Sequence, residues 1–232
     1  MTTLLAIDTA TDHCSVALLA NGNMTTRTHQ GAREHTDKLL VSIDELCREQ
    51  ACAISQLDAI ALTIGPGSFT GLRIGLATAQ GLAYGHDLPL IGVDTLESMA
   101  SMQYKGSPYE GLYVAMIDAR MGDLVFATIA FAHGELSVVE PSKIAPLKQV
   151  TEYLDRLDEP FALIGSGAQL VDITHPTLAF IDYNARSHAS TVIDLALANH
   201  MPGQPLNTLV PRYFRDEINW QKRLRIRSAT TD

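Results

Sequence analysis

The sequence contains few cysteines, and none of them is spaced to hold a metal. Its three cysteines, Cys14, Cys47 and Cys52, form no C-x-x-C pair, and their number is odd. Secreted proteins usually pair their cysteines, and structural zinc sites use closely spaced ones. The eight histidines include no pair four residues apart, which excludes a helical His-x-x-x-His couple. We therefore expect a cytoplasmic protein with no metal site of its own.

A long apolar segment and a positive net charge are also missing. The apolar stretch Leu4–Ile7 is cut short by Asp8, and no basic region precedes it, so we expect neither a signal peptide nor a membrane span. The 232 residues carry a formal net charge of −9, which disfavours autonomous binding to nucleic acid. A short basic cluster near the C-terminus is the exception, and so short a run is typical of a solvated tail. Its members are Lys222, Arg223, Arg225 and Arg227.

The glycine-rich stretch Gly65–Gly71 matches none of the common phosphate or hydrolase motifs. It follows the apolar run Ala59–Ile64 and precedes a predicted helix, an arrangement whose free amides can bind an anion. However, it lacks both the Gly-Lys-Ser/Thr ending of a P-loop and the Gly-x-Gly-x-x-Gly spacing of dinucleotide folds. Ser68 is not followed by the glycine of a Gly-x-Ser-x-Gly nucleophile motif. We favour a structural turn, with Ser68 or Thr70 capping the helix.

The helix after this turn has no charged residue between Arg73 and Asp87. A helix without a polar face is normally buried on all sides. Small residues recur every fourth position in two stripes, where another backbone could approach closely. One domain of this size can cover one stripe, so two stripes predict a partner. The first stripe is Gly71, Gly75, Ala79 and Ala83, and the second is Ala77, Gly81 and Gly85.

The order of predicted elements indicates an α/β protein of two similar domains, 1–105 and 106–232. The first contains three antiparallel strands, an amphipathic helix from Thr36 to Gln50, the strand Ala59–Ile64, the charge-free helix and the strand Pro89–Val93. This β-β-β-α-β-α-β order is that of a ribonuclease H-like unit in actin-like folds. The second domain repeats it in degenerate form, and its C-terminal tail can return to the first.

Helix Thr95–Met102 and the turn at Gly106-Ser107-Pro108 close the first domain. In the second domain we predict strands and helices from short apolar runs and helical periodicity. The predicted strands are Leu112–Asp118, Leu124–Phe131 and Phe161–Ile164, and the predicted helices are Pro146–Leu157 and Ser190–His200.

Asp8 lies between two predicted strands, where actin-like ATPases carry Asp-x-Gly-Thr/Ser. There the aspartate organises a magnesium-bound water and the glycine lets phosphates approach. Here Ala10 replaces the glycine, and its Cβ would stand in the path of a phosphate oxygen. Asp8 could equally cap a turn through its own backbone. The residues of such a vestigial nucleotide site would be Asp8, Thr9, Thr11, Gly65, Gly67 and Ser68.

The remaining polar groups form no catalytic set. Glu34-His35 could suggest acid–base chemistry, but a single histidine before a helix is more often a capping or surface residue. Asp118 and Arg120 could form an ion pair or simply close a hairpin, and we favour the hairpin.

Five motifs, which together cover nearly the whole chain in order, closely resemble the TsaB (YeaZ) family. The run Gly-Pro-Gly-Ser-Phe-Thr-Gly-Leu-Arg-Ile-Gly is highly specific. The motifs are Leu5–Thr11, Arg33–His35, Gly65–Gly75, Asp118–Gly122 and Pro211–Glu217.

The resemblance implies an actin-like protein that serves in making N6-threonylcarbamoyladenosine at position 37 of tRNAs reading codons that begin with A. In that family the paralogue TsaD transfers the threonylcarbamoyl group and holds a metal through a His-x-x-x-His pair. Alignment of the strand Leu90–Val93 with the corresponding strand of TsaD places Thr95 and Met99 at those two histidines, with Glu97 between them. Neither Thr95 nor Met99 can replace imidazole as a metal ligand. The resemblance thus implies a subunit that is no enzyme by itself. ATP and a metal are expected on the partner subunits TsaD and TsaE, and tRNA is contacted only indirectly.

The family's partner surface is built from the first two helices of the first domain. By resemblance, these helices would pack with a helix pair of TsaD in a four-helix seam. A homodimer would use the same surface and compete with TsaD. The expected contact residues are Leu39, Leu40, Ile43, Leu72, Gly75, Leu76, Ala79, Leu82 and Ala83.

Two hypotheses of another class remain. One is a nucleotide-dependent phosphotransferase that uses Asp8 and the Gly65–Gly71 turn. The other is a metallopeptidase, because the wider family has carried a glycoprotease label. The missing histidine pair argues against the metallopeptidase.

Overall fold

The structure, a computed structural model, describes residues 2–31, 34–198, 203–205 and 208–215, with the backbone alone at 34–36. Two lobes are present, each built on a five-stranded mixed sheet flanked by helices. This confirms the predicted fold class. Arg33, the side chain of His35 and the basic cluster at 222–227 lie outside the described residues.

The strands of the first lobe are β1 (Leu4–Asp8), β2 (His13–Ala20), β3 (Asn23–Gln30), β4 (Ala59–Gly65) and β5 (Leu90–Asp94). They lie in the order β3-β2-β1-β4-β5. The first three strands are antiparallel, whereas β1, β4 and β5 run parallel. β1 and β4 are buried along their whole length, as expected for central strands covered on both faces. The carboxyl ends of β1, β4 and β5 therefore meet at one edge of the sheet.

The strands of the second lobe are β6 (Gly111–Arg120), β7 (Asp123–Ala132), β8 (Glu135–Pro146), β9 (Phe161–Ile164) and β10 (Leu178–Asp182). Their order, β10-β9-β6-β7-β8, and their directions repeat those of the first lobe. The predicted duplication of the strand pattern is thus present, including the two strands that the sequence pattern missed, β8 and β10.

β8 was missed because it is an edge strand with little apolar alternation. Most of its residues are exposed or half-buried, and it contains Pro141. Its pairing with β7 is irregular on either side of Thr128, where Glu140 and Lys143 flank the proline. Proline is tolerated at sheet edges and bulges because it cannot donate to the hydrogen-bond ladder.

In the part of the chain that the structure describes, five α-helices complete the lobes: α1 (Glu34–Glu49), α2 (Phe69–Tyr84), α3 (Thr95–Gly106), α4 (Leu147–Leu154) and α5 (Ala189–Ala198). Three predicted helix ends differ from the structure by two to four residues: α1 begins at Glu34 instead of Thr36, α3 ends at Gly106 instead of Met102, and α4 ends at Leu154 instead of Leu157. Within the described ranges, no helix combines the length and the apolar character needed to cross a membrane.

The lobes exchange helices. α1 and α2 pack on one face of the first sheet, but the other face is covered by α5, from the far end of the chain. Conversely, α3 follows the last strand of the first sheet and packs on the second, where Leu96, Met99 and Ala100 join its core. α4 covers the opposite face of the second sheet. Each sheet therefore completes its core with a helix from the other half of the chain.

Candidate functional site

The turn after β1 and the turn before α2 lie in direct contact. The amide of Ser68 donates to the Ala10 carbonyl oxygen at 2.7 Å. A Cβ at Gly67 would overlap that same oxygen, and a Cβ at Gly71 would overlap the Thr9 carbonyl oxygen. The glycines therefore allow two stretches of the chain's own backbone to approach closely. Ser68 caps the helix as predicted, because its Oγ accepts from the Gly71 amide at 3.1 Å.

Asp8 is fully buried at the end of β1. Its Oδ1 accepts from the Ala10 amide at 3.1 Å and from Thr63 Oγ1 at 2.8 Å. The turn-capping interpretation of Asp8 is thus confirmed, since the first of these bonds closes its own turn. Its Oδ2 is buried without a hydrogen-bond partner in the described part of the chain.

The structure brings Asp8, Thr9, Gly67 and Ser68 together, but the hydrogen bonds of Asp8, Thr9 and Ser68 go to the chain's own Ala10, Thr63 and Gly71. Thr9 Oγ1 donates to the Gly71 carbonyl at 2.8 Å, which fastens β1 to the first turn of α2. Of the other two predicted residues, Thr11 accepts from the His13 amide, and Gly65 faces the carbonyl of Arg212. That these residues form a nucleotide site stays a prediction.

A second polar cluster lies where β5 ends and α3 begins. Asp94 caps α3, because its Oδ1 accepts from the amides of Leu96 at 2.8 Å and Glu97 at 3.4 Å. Its Oδ2 lies 3.4 Å from Nη1 of Arg212. Burial raises the pKa of the Asp94 carboxyl. Burial and, next, the neighbouring Asp94 charge raise the pKa of Glu97 to about 7, while Arg212 opposes the shift.

Thr95 and Met99, the two positions that the family resemblance places at a metal-binding histidine pair, are both buried. Met99 packs in the apolar core of the second lobe, and Thr95 Oγ1 has no hydrogen-bond partner among the residues described. Over the same ranges, no group of three or more His, Cys, Asp or Glu side chains is placed to hold a metal ion.

Replacing Glu97 with glutamine is expected to raise stability at neutral pH. The folded-state pKa of Glu97, about 7, lies above its ordinary value of 4.5, so its contribution to stability is lost as pH rises from about 4.5 through 7. The loss amounts to at most about 3 kcal/mol. In urea unfolding between pH 5 and 8, the free energy of unfolding of Glu97→Gln should rise relative to that of the parent as pH increases.

Exposed Glu135, at the start of β8, offers a matched control. Glu135→Gln should follow the parent at every pH. Parallel stability curves for Glu97→Gln and the parent would contradict the raised pKa of Glu97.

The inner face of α2 belongs to the core of the chain itself. The first small stripe faces β1, so a Cβ at Gly75 would overlap Thr9 Oγ1. This corrects six of the nine predicted contact residues: Leu39, Ile43, Leu72, Gly75, Ala79 and Ala83 are buried within the monomer. Small size at these positions serves helix–sheet packing, and they are not open to a partner in this structure.

The outer face of α2, by contrast, is open. On this face, exposed residues follow one another about every four positions along the helix. Ala77 and Gly81 of the second small stripe lie in the middle of this row, and an aromatic residue lies at each end. Phe69 is 52% exposed and Tyr84 is 82% exposed. The guanidinium of Arg73 lies over the Phe69 ring, 3.5 Å from its centroid.

α1 borders this row and adds Leu40, which is 57% exposed. A shallow groove of about 410 Å³ runs between the two helices. Leu76 and Leu82 are half-buried and pack against the core beneath it. The groove is lined by Leu40, Ala77, Thr78, Gly81 and Leu82. We call the groove, together with the exposed row of α2 from Phe69 to Tyr84, the α1–α2 face.

Phe69, Ala77, Gly81 and Tyr84 were not among the predicted contact residues. The signal that could have found Ala77, Gly81 and Tyr84 was the absence of charge between Arg73 and Asp87, which applied to both faces of α2. Phe69 precedes that stretch and carried no such signal. The two small stripes have the same spacing in the sequence, and only the position of β1 distinguishes them.

Comparison with known proteins identifies the family. The family model of TsaD, described as tRNA N6-adenosine threonylcarbamoyltransferase, matches residues 25–157. The tRNA threonylcarbamoyladenosine biosynthesis protein TsaB of Haemophilus influenzae is 33% identical over 231 residues, which cover 95% of this chain and 96% of the relative. The TsaB of Escherichia coli is 37% identical over 171 residues and covers 72% of each chain.

Solved structures agree with the sequence relatives. YeaZ from Pseudomonas aeruginosa has a TM-score of 0.82 at 31% identity, over 92% of this chain and all of that one. A crystal structure of an uncharacterized protein with similarity to peptidase YEAZ, from the same organism, has a TM-score of 0.84 at 32% identity, over 93% of this chain and all of that one. The chain therefore belongs to the TsaB family of tRNA threonylcarbamoyladenosine biosynthesis proteins, within the wider family that TsaD represents.

Proposed function

We propose that this chain is a non-catalytic subunit in the formation of N6-threonylcarbamoyladenosine at position 37 of tRNA, and that it binds and activates TsaD together with TsaE. The observation that carries the proposal is the exposed α1–α2 face. Contiguous exposed apolar surface is uncommon on monomeric proteins and usually marks an interaction site.

The composition of the α1–α2 face suits a packed helical interface. The aromatic residues Phe69 and Tyr84 lie at its two ends, and aromatic side chains supply much of the binding energy in such interfaces. Between them Ala77 and Gly81 leave room for another helix to cross closely. Nothing within 4 Å would meet a Cβ at Gly81, so the groove has space for a partner's side chain.

A second copy of this chain would use the same face. Two-fold interfaces bring identical patches together, so a homodimer and a TsaD complex would exclude each other. We therefore expect increasing concentrations of TsaD to displace the homodimer.

The polar clusters support a non-catalytic role. Thr95 and Met99 provide no imidazole at the positions of the TsaD metal ligands, and both are packed in the core. Asp8 closes its own turn and bonds to Thr63 of β4, and Thr9 bonds to the first turn of α2. ATP and a metal are accordingly assigned to the partner subunits, and the net charge of −9 favours tRNA contact through those subunits.

Reconstitution of the tRNA modification tests the proposal. Purified TsaD and TsaE, supplied with tRNA, ATP and the threonylcarbamoyl donor, should form little modified tRNA alone. Addition of this chain should start its formation. Product can be measured by nucleoside mass spectrometry. Product formation independent of this chain, or by this chain without TsaD, would contradict the proposed role.

ATP hydrolysis by the isolated chain would instead favour the phosphotransferase hypothesis. Among the described residues, the only specific support for that hypothesis is the buried Oδ2 of Asp8, which has no hydrogen-bond partner there.

A further inference from the structure

The C-terminal segment 208–215 first fastens to the core of the first lobe. Leu209 is buried, 4% exposed, in the cluster that α1 and α2 form with the first sheet. The amide of Arg212 donates to the Ile64 carbonyl at 2.7 Å. The hydroxyl of Tyr213 accepts from Nε of Arg73 at 2.9 Å, and its ring lies 5.4 Å from that of Phe69.

The next two residues of the segment fasten to the second lobe. Phe214 packs against the core that α3 forms with the second sheet. Arg215 forms an ion pair with Asp123 and also donates to the Arg120 carbonyl at 3.2 Å. Its Nη1 lies 3.0 Å from the sulfur of Met121. The side chains of Arg215 and Asp123 are 28% and 30% exposed, so their ion pair is less screened by solvent than one on the open surface.

Arg215 holds a hairpin of defined shape. Arg120, Met121 and Gly122 all have positive φ, of 68°, 57° and 85°. The hairpin is closed from its own side by Asp118, whose Oδ1 accepts from the Arg120 amide at 2.7 Å, as the sequence predicted. The alternative ion pair is present as well, because Oδ2 of Asp118 lies 3.3 Å from Nη1 of Arg120. Turns of this kind match the twist of the flanking strands and present a rigid attachment point.

Between these two anchors, Arg212 lies at the point where the chain passes from one lobe to the other. Its Nη1 is 3.4 Å from Oδ2 of Asp94, the last residue of the first sheet and the cap of α3. Within eight residues, therefore, the segment contacts the first sheet, the start of the exchanged helix and the hairpin of the second sheet.

We propose that residues 208–215 form an interlobe clasp that fixes the angle between the two lobes. Lobes in a two-lobed fold can move as rigid bodies about the few segments that join them. A segment anchored by a buried leucine on one side and by a multiply bonded arginine on the other restricts that motion. Removing the Arg215 anchor should leave both sheets and the helices described above intact, and should loosen the second lobe about its remaining links to the first, the exchanged helices α3 and α5.

Distance measurement between spin labels tests the clasp in the full chain. Labels are attached at Lys38→Cys on α1 and Lys148→Cys on α4, two exposed positions on the outer sides of the lobes, with Cys47→Ala to prevent labelling of the half-buried native cysteine. The parent should give one narrow distance distribution. Arg215→Gln should make it about twofold wider or shift its mean, as expected for lobes released from a fixed angle.

Arg156→Gln, which makes the same change at an exposed position after α4, is the matched control and should leave the distribution unchanged. Asp123→Asn removes the same ion pair from the other side and should reproduce the effect of Arg215→Gln. Circular dichroism establishes that each variant is folded. Folded Arg215→Gln and Asp123→Asn proteins with the parent's narrow distribution would overturn the proposal.

Discussion

Alanine at Gly71 is expected to destabilise the protein by about 3 kcal/mol, an effect at the upper end for adding a single methyl group. The new Cβ would overlap the carbonyl oxygen of Thr9, a backbone atom that cannot rotate away. Relief requires α2 to move off β1, which would also break the Thr9–Gly71 hydrogen bond of 2.8 Å. The free energy of unfolding in urea, followed by circular dichroism, measures the loss.

Gly81→Ala is the matched control on the same helix. No atom outside the local helix lies within 4 Å of the methyl group that this change adds, so it increases helix propensity without overlap. It should leave stability unchanged or raise it by up to about 1 kcal/mol. Equal stabilities of Gly71→Ala and Gly81→Ala would show that α2 does not pack on β1 through its first small stripe.

Arginine at Gly81 is expected to weaken binding to TsaD by at least about 100-fold while leaving the monomer folded. The long charged side chain would fill the groove between α1 and α2, and a partner helix could then approach only by burying an unpaired charge. Titration of fluorescently labelled TsaD measures the dissociation constant, and gel filtration reports any homodimer in parallel.

Gly106→Arg makes the same chemical change at the exposed end of α3, where a Cβ also meets nothing within 4 Å. It should bind TsaD like the parent. If the two arginine variants bind TsaD equally well, the α1–α2 face is not the contact surface, and the proposed subunit role must then depend on another part of the molecule.

The periodicity of α2 predicted its length and its small residues, but not which side faces inward. Gly75 and Gly81 belong to stripes with the same spacing, and local sequence cannot tell them apart. The distinction depends on Thr9, some sixty residues earlier in the chain, whose carbonyl oxygen lies in front of Gly71 and whose Oγ1 lies in front of Gly75. A sequence pattern confined to one helix cannot predict long-range packing of this kind.

Features that depend on residues close together in the sequence could be predicted, whereas features that depend on distant residues could not. The Ser68 cap and the Asp118 hairpin depend on residues two or three positions apart, and both predictions were confirmed. β8 depends on pairing with β7 at an edge, and the contacts of Arg212 and Arg215 join residues about 90 to 150 positions apart. The sequence pattern contained no signal for these pairings.

The exchange of α3 and α5 means that neither half of this chain is a self-sufficient module. A fragment ending near residue 105 would carry the apolar side of α3 with no sheet to receive it, while the surface of its own sheet that α5 normally covers would be bare. The complementary fragment would have the opposite defects. Cutting the polypeptide between the two sheets, after α3, should therefore yield two insoluble pieces that regain solubility only when produced together.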